Sequence, residues 1–307
     1  MKPIDFPNKD HYYLTLAEEA FSTGDYVMAL ENYKLAYEEA PSIKLNHLIA
    51  SLALEQGNFT EALAYAGDEQ DSYLETLETL DLYLQIQLYT HNFFAAREFL
   101  WRAQKNKMLT EEQQNLWTLR IDDQEDFYQK QQQAAIKSLE TELIKLPELS
   151  SMEQLQLVRK VKALSEERLK SWAEKWMLDP NVAPLVRSYL FENLGRVGVI
   201  EKVRYLTIQG EIVELSPAET AFDDSLQQEI EARLTNRLED NDPILLANLL
   251  EQLKLEMAFL YPLQYSFMKP DAWAESYLAE YSGSLAELDE QVEAIRQKIR
   301  QMMFDYH

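Results

Sequence analysis

A motif that returns about every 34 residues constrains this chain most, because a fixed period of that length marks a stacked helix–turn–helix array. The turn stands at Gly24-Asp25-Tyr26, at Gly57-Asn58-Phe59 and at His91-Asn92-Phe93. A small residue follows each turn, at Ala29, Ala62 and Ala96. Small residues also precede the first two turns, Ala17 with Ala20 and then Ala50 with Ala53, whereas Leu84 and Gln87 make the third unit degenerate. Small side chains on facing surfaces let two helices approach closely, and aromatics such as Tyr26 and Phe59 are expected to fill the wedge between units. Glycine after a helix suits a left-handed cap, and Pro41 closes the first unit because proline cannot continue a helix interior.

Unit one also carries Leu16, Tyr33 and Ala36 beside Ala17, Ala20, Gly24, Tyr26, Ala29 and Pro41, and this set resembles the tetratricopeptide repeat (TPR) family. The resemblance implies a three-unit array over residues 1–109, an α-α superhelix whose first helices line a concave groove. In that register the peptide-binding groove receives Leu14, Glu18, Phe21, His47, Ser51, Leu54, Asp81, Gln85 and Tyr89. Many family members clamp a C-terminal carboxylate there with Lys, Asn and Arg. The corresponding positions here hold Leu14, Glu18, Leu48, Glu78 and Leu82, so a carboxylate would meet acids and leucines. An apolar or basic helix laid lengthwise is the better partner.

Downstream, residues 110–148 read as capping or connecting helices, which a solenoid needs to cover its last repeat. Residues 149–307 show no repeat and read as a mainly α domain, with helices near 152–164, 166–177, 182–195, 223–239, 243–260, 270–281 and 284–304. Between them, 203–208 and 211–215 flank Gln209-Gly210, the pattern of a β-hairpin. Such a hairpin packs on the helices or accepts a partner strand. Leu185-Val-Arg-Ser-Tyr-Leu after Pro184, this hairpin, Ser216-Pro217 and Tyr261-Pro262 are similar to the YpiA-type TPR proteins of Gram-positive bacteria, which implies a bacterial, cytoplasmic setting. Leu285, Leu288, Val292, Ile295, Ile299 and Met302 form a short heptad seam. It serves either docking onto its own domain or homodimerisation through the 284–304 helix.

Charge and composition limit the chemistry. The formal net charge of −24 repels nucleic-acid phosphates and anionic membranes, so neither is an expected partner. Cysteine is absent, which removes disulfides and thiolate chemistry and fits a reducing compartment. The first residues lack the apolar run of a signal peptide, and no window approaches a membrane span. The four histidines, His11, His47, His91 and His307, have no metal-ligand spacing, and Gly195 and Gly198 do not make a phosphate loop. Trp172 and Trp176, four apart, suit a helix core face. Asp223 and Asp224 suit a helix start. No catalytic residue, metal or cofactor is expected. The reading is a non-enzymatic adaptor or scaffold holding a peptide or helix. Its alternatives are an enzyme with an unrecognised site in the C-terminal domain and a peptide-responsive intracellular regulator.

Overall fold

The computed structural model describes residues 9–220, 223–282 and 288–304. The chain is mainly helical with one small antiparallel sheet, and it divides into two compact units, Met1–Gln131 and Gln132–His307.

In the first unit α1 (Lys9–Ser22) pairs with α2 (Tyr26–Glu39), and α3 (Ile43–Glu55) pairs with α4 (Phe59–Asp68). After a 3₁₀ segment, Gln70–Leu74, α5 (Leu77–Tyr89) pairs with α6 (Phe93–Lys105), and α7 (Glu111–Gln131) packs on α6. The three hairpins share one turn. Gly24, Gly57 and His91 stand at φ 81°, 76° and 59°. At each, two bonds close the preceding helix: Gly24 N to Phe21 O with Asp25 N to Ala20 O, Gly57 N to Leu54 O with Asn58 N to Ala53 O, and His91 N to Leu88 O with Asn92 N to Gln87 O. This is the Schellman arrangement, which needs a left-handed residue after the helix. Glycine supplies it freely at the first two turns. At the third, His91 adopts it while its ring stacks on Tyr128 at 4.3 Å.

Ala17, Ala29, Ala50, Ala53, Ala62 and Ala96 are fully buried, as close helix pairing requires. The aromatic wedge is uneven. Phe59 stacks on Tyr89 at 5.0 Å and so bridges the second and third hairpins, whereas Tyr26 is half exposed and meets Phe21 edge-on. Buried Arg97 on α6 pairs with Glu125 (2.6 Å) and Asp122 (2.7 Å) on α7.

The boundary between the units falls within 110–148, so α7 belongs to the first unit and α8 (Gln133–Ile144) to the second. There, α9 (Ser151–Val158) tightens into a 3₁₀ turn, Arg159–Ala163, and α10 (Glu166–Trp176) and α11 (Pro184–Arg196) follow. Trp176 is buried, and Trp172 stacks on it at 5.7 Å while staying half-buried. Strands β1 (Val203–Leu206) and β2 (Ile212–Leu215) pair with Val203 opposite Leu215 and Leu206 opposite Ile212. The strands are shorter than expected because Thr207 N bonds Glu211 O (2.8 Å) and Gly210 N bonds Thr207 O (3.1 Å), which widens the connection. The hairpin packs inward through Val203, Tyr205 and Leu206, and Leu206 N donates to Met177 O at 3.0 Å.

The short α12 (Pro217–Thr220) leads to α13 (Ser225–Leu238), α14 (Pro243–Leu260), α15 (Pro270–Ser282) and α16 (Glu290–Met303). The α16 seam is used within its own unit. Val292, Ile295 and Ile299 are buried among Leu249, Leu253, Trp273 and Tyr277, and Leu288 and Met302 are half-buried. Leu285 and the start of the 284–304 helix lie outside the described residues.

Candidate functional site

A cleft of about 400 Å³ lies between α3 and α5 in the first unit. His47, Leu48, Ser51, Leu54 and Glu55 of α3 form one wall, and Glu78, Thr79, Asp81, Leu82 and Gln85 of α5 form the other. The helical spacing of three and four places these side chains on one face of each helix. Thr76 anchors the start of α5 through a capping box with Thr79, and Ser42 caps α3 by accepting from Leu45 N.

The segment Gln70–Leu74 lines no part of the cleft but supports its His47 wall. Ser72 Oγ donates its only proton to Glu69 O at 2.6 Å. It also lies 2.7 Å from His47 Nε2, so His47 must be the donor there. That assigns the Nε2–H tautomer to a neutral His47 and leaves Nδ1 as an acceptor. Tyr73 packs against the same ring, with centroids 4.2 Å apart. Beneath it, Tyr73 Oη donates to Asn46 Oδ1 (2.8 Å), and Asn46 Nδ2 donates to Tyr65 O (2.9 Å). Asn46 and Tyr73 are fully buried, so this chain of bonds ties α3, α4 and the 3₁₀ segment together.

Charge in the cleft has one sign. Glu55, Glu78 and Asp81 line it together with three leucines, and neither Lys nor Arg is among its lining residues. Gln85 donates to Asp81, which holds that carboxylate on the α5 wall.

Burial lowers the His47 pKa from its ordinary 6.5, against the opposing pull of Glu75 and Glu69. A folded-state pKa below the unfolded value means that the unfolded chain binds the proton better. The stabilisation is therefore full above pH 6.5 and is lost as pH falls from there through the lowered value. Thermal unfolding from about pH 7 to about pH 5.5 should show a loss of stability that His47→Gln reduces. An unchanged pH slope in that variant would discount His47 as its source.

Five of the nine groove residues read from the sequence meet here: His47, Ser51, Leu54, Asp81 and Gln85. Leu48, Glu78 and Leu82, read as the places of an absent cationic clamp, line the same cleft. The α1 residues lie outside it. Leu14 packs against the core of its unit, Glu18 is exposed, and Phe21 meets Tyr26. Tyr89 lies outside as well, stacked on Phe59. Glu55 and Thr79, which complete the walls, were missed, although both continue the α3 and α5 spacing. Ser72 and Tyr73 were also missed, since a five-residue 3₁₀ segment carries no periodic signal.

Among the described residues no group of three or more His, Asp or Glu is placed to hold a metal ion, and no helix is long and apolar enough to cross a membrane. Comparison with protein-family models, curated proteins and solved structures finds no match. Function must therefore be read from the site itself.

Proposed function

We propose that the chain is a non-enzymatic adaptor of the TPR type, whose first unit holds a basic amphipathic helix of a partner protein in the α3–α5 cleft. The observation that carries this reading is the lining: three carboxylates and three leucines with no Lys or Arg to neutralise them. An amphipathic helix offers apolar anchors at helical spacing, here for Leu48, Leu54 and Leu82. Its lysines or arginines would meet Glu55, Glu78 and Asp81, and the His47 Nδ1 acceptor offers a further place for an N–H donor. The recurring Schellman turns at 24, 57 and 91 and the buried alanines support a TPR-like array as the frame.

The test compares fluorescein-labelled designed helices of Leu/Lys and Leu/Glu composition by fluorescence anisotropy at physiological salt. The Leu/Lys helix should bind and the Leu/Glu helix should not. Reversing two cleft charges, Glu78→Lys with Asp81→Lys, should weaken the first by at least about tenfold, or roughly 1.4 kcal/mol. The control is Glu174→Lys with Glu239→Lys, two exposed sites on the second unit that change the net charge equally. If the control pair weakens binding as much as the cleft pair, attraction to a chain of net charge −24 accounts for everything and the cleft is the wrong site.

A further inference from the structure

The second unit contains a larger cavity, about 630 Å³, bounded by α9, α11, the start of α13 and the end of α14. That volume falls in the range of about 300–1,000 Å³ typical of small-molecule sites. Its walls are apolar at Leu155, Val158, Leu185 and Met257, and Tyr189 and Tyr261 add aromatic surface. No motif in the sequence pointed to it, because its residues come from four helices and two 3₁₀ segments, Arg159–Ala163 and Gln264–Phe267.

The polar groups in this cavity are biased toward acceptors. Gln264 is 8% exposed, and its Nε2 donates to Met257 O at 3.3 Å. That bond fixes the amide orientation and leaves Oε1, which receives no hydrogen bond from the described residues, for the cavity that Gln264 lines. A carbonyl oxygen that borders an open volume and accepts from no described group offers that volume an acceptor. Ser188, also buried, and the neighbouring Tyr205 hydroxyl each lie 3.0 Å from Tyr261 O and 3.3 Å from one another, so the Ser188 proton is shared among these partners. Ser188 Oγ therefore has only lone pairs to present.

Carboxylates reinforce the bias. Asp224 occupies the N-cap position of α13 without accepting a capping bond; Asp223, whose Oδ1 accepts from Ser225 N (3.1 Å) and Oγ (2.5 Å), and Glu192, 3.8 Å from Arg196, line the same cavity. Two cations, Lys254 and Arg159, also line the cavity, both of them exposed. Lys254 is held by Glu251 at 2.9 Å, and the Gln227 amide is given to Glu231 at 2.8 Å. Arg159 is exposed on the wall near Tyr189.

We propose that this cavity binds a small organic cation, a primary amine carried on an apolar body. The ammonium donates to Gln264 Oε1 and is balanced by Asp223 and Asp224, while the body rests on Met257 and the tyrosine rings. An ammonium leaving water needs such acceptors, and tyrosine faces attract cations further. A carboxylate ligand of the same shape would be repelled by the paired aspartates and would leave the Gln264 acceptor unmet.

The test uses the full chain and matched probes: phenethylamine, 2-phenylethanol and 3-phenylpropionate, then tryptamine, tryptophol and indole-3-propionate. Titration followed through the Met257 methyl resonance should show that the amines bind. The alcohols and acids should bind at least about tenfold more weakly. Asp223→Asn with Asp224→Asn changes two exposed residues and should weaken the amines about tenfold without disturbing the fold. Gln264→Leu should do the same. The proposal is overturned if no amine moves the Met257 signal, if the acids bind as tightly as the amines, or if the aspartate pair can be replaced without effect.

Discussion

Arg296→Met should destabilise the second unit by about 3–5 kcal/mol, the usual cost of removing one partner from a buried ion pair. Arg296 and Glu256 are 1% and 0% exposed. The guanidinium grips the carboxylate twice, Nε to Oε2 at 3.0 Å and Nη2 to Oε1 at 3.2 Å. Its remaining donors reach Ser276 Oγ (2.6 Å) and Glu280 (3.0 Å), and its Cζ lies 3.9 Å from the Tyr277 ring centroid. Tyr277 Oη also donates to Glu256 Oε2 at 2.9 Å, and burial beside that carboxylate pushes the Tyr277 pKa well above its ordinary value. Methionine fills much of the arginine volume but leaves Glu256 charged with only hydroxyl and amide donors. The loss therefore comes mainly from the stranded carboxylate. Replacing both, Arg296→Met with Glu256→Leu, should recover most of it, short of the cost of about 1–3 kcal/mol for Tyr277 Oη left without an acceptor. Urea unfolding read by hydrogen exchange in α14 and α16 separates the two units. A double variant as unstable as Arg296→Met alone would show that packing, and not the stranded charge, sets the cost.

That network also marks what a sequence can and cannot disclose. The α16 seam at Val292, Ile295 and Ile299 was legible because a repeating apolar position is a local pattern. Its destination was not, since Arg296 meets Glu256 forty positions away and nothing in either helix announces the pairing. The three hairpin turns were legible for the opposite reason: Gly24, Gly57 and the His91 that replaces glycine each sit in a backbone conformation with strong residue preferences. Periodicity gives the angle of a side chain about its helix and not the distance between helices. Leu14 and Glu18 share the angle of His47 and Leu54, yet α1 lies outside the cleft that α3 and α5 bound. The second-unit cavity was invisible because Gln264 becomes informative only once Met257 O claims one end of its amide.

Tyr73→Ala should cost the first unit about 3–5 kcal/mol, as other buried aromatic truncations do. The side chain is fully buried, touches His47 and Tyr83, and closes the bond to Asn46. Tyr73→Phe keeps the ring and removes only the hydroxyl, so its cost should be about 1–3 kcal/mol, set by the Asn46 Oδ1 acceptor left unmet in the core. The two variants part further in binding. The ring supports the His47 face of the cleft at 4.2 Å, whereas the hydroxyl points away from it to Asn46. At a temperature where both remain folded, Tyr73→Phe should bind the Leu/Lys helix about as well as the parent chain, and Tyr73→Ala should lose at least about tenfold. Equal losses in the two would mean that the Tyr73–Asn46–Tyr65 bonds, by fixing α3 against α4, order the cleft more than the packing of the Tyr73 ring on His47 does. Equal retention would place the ligand away from His47 altogether.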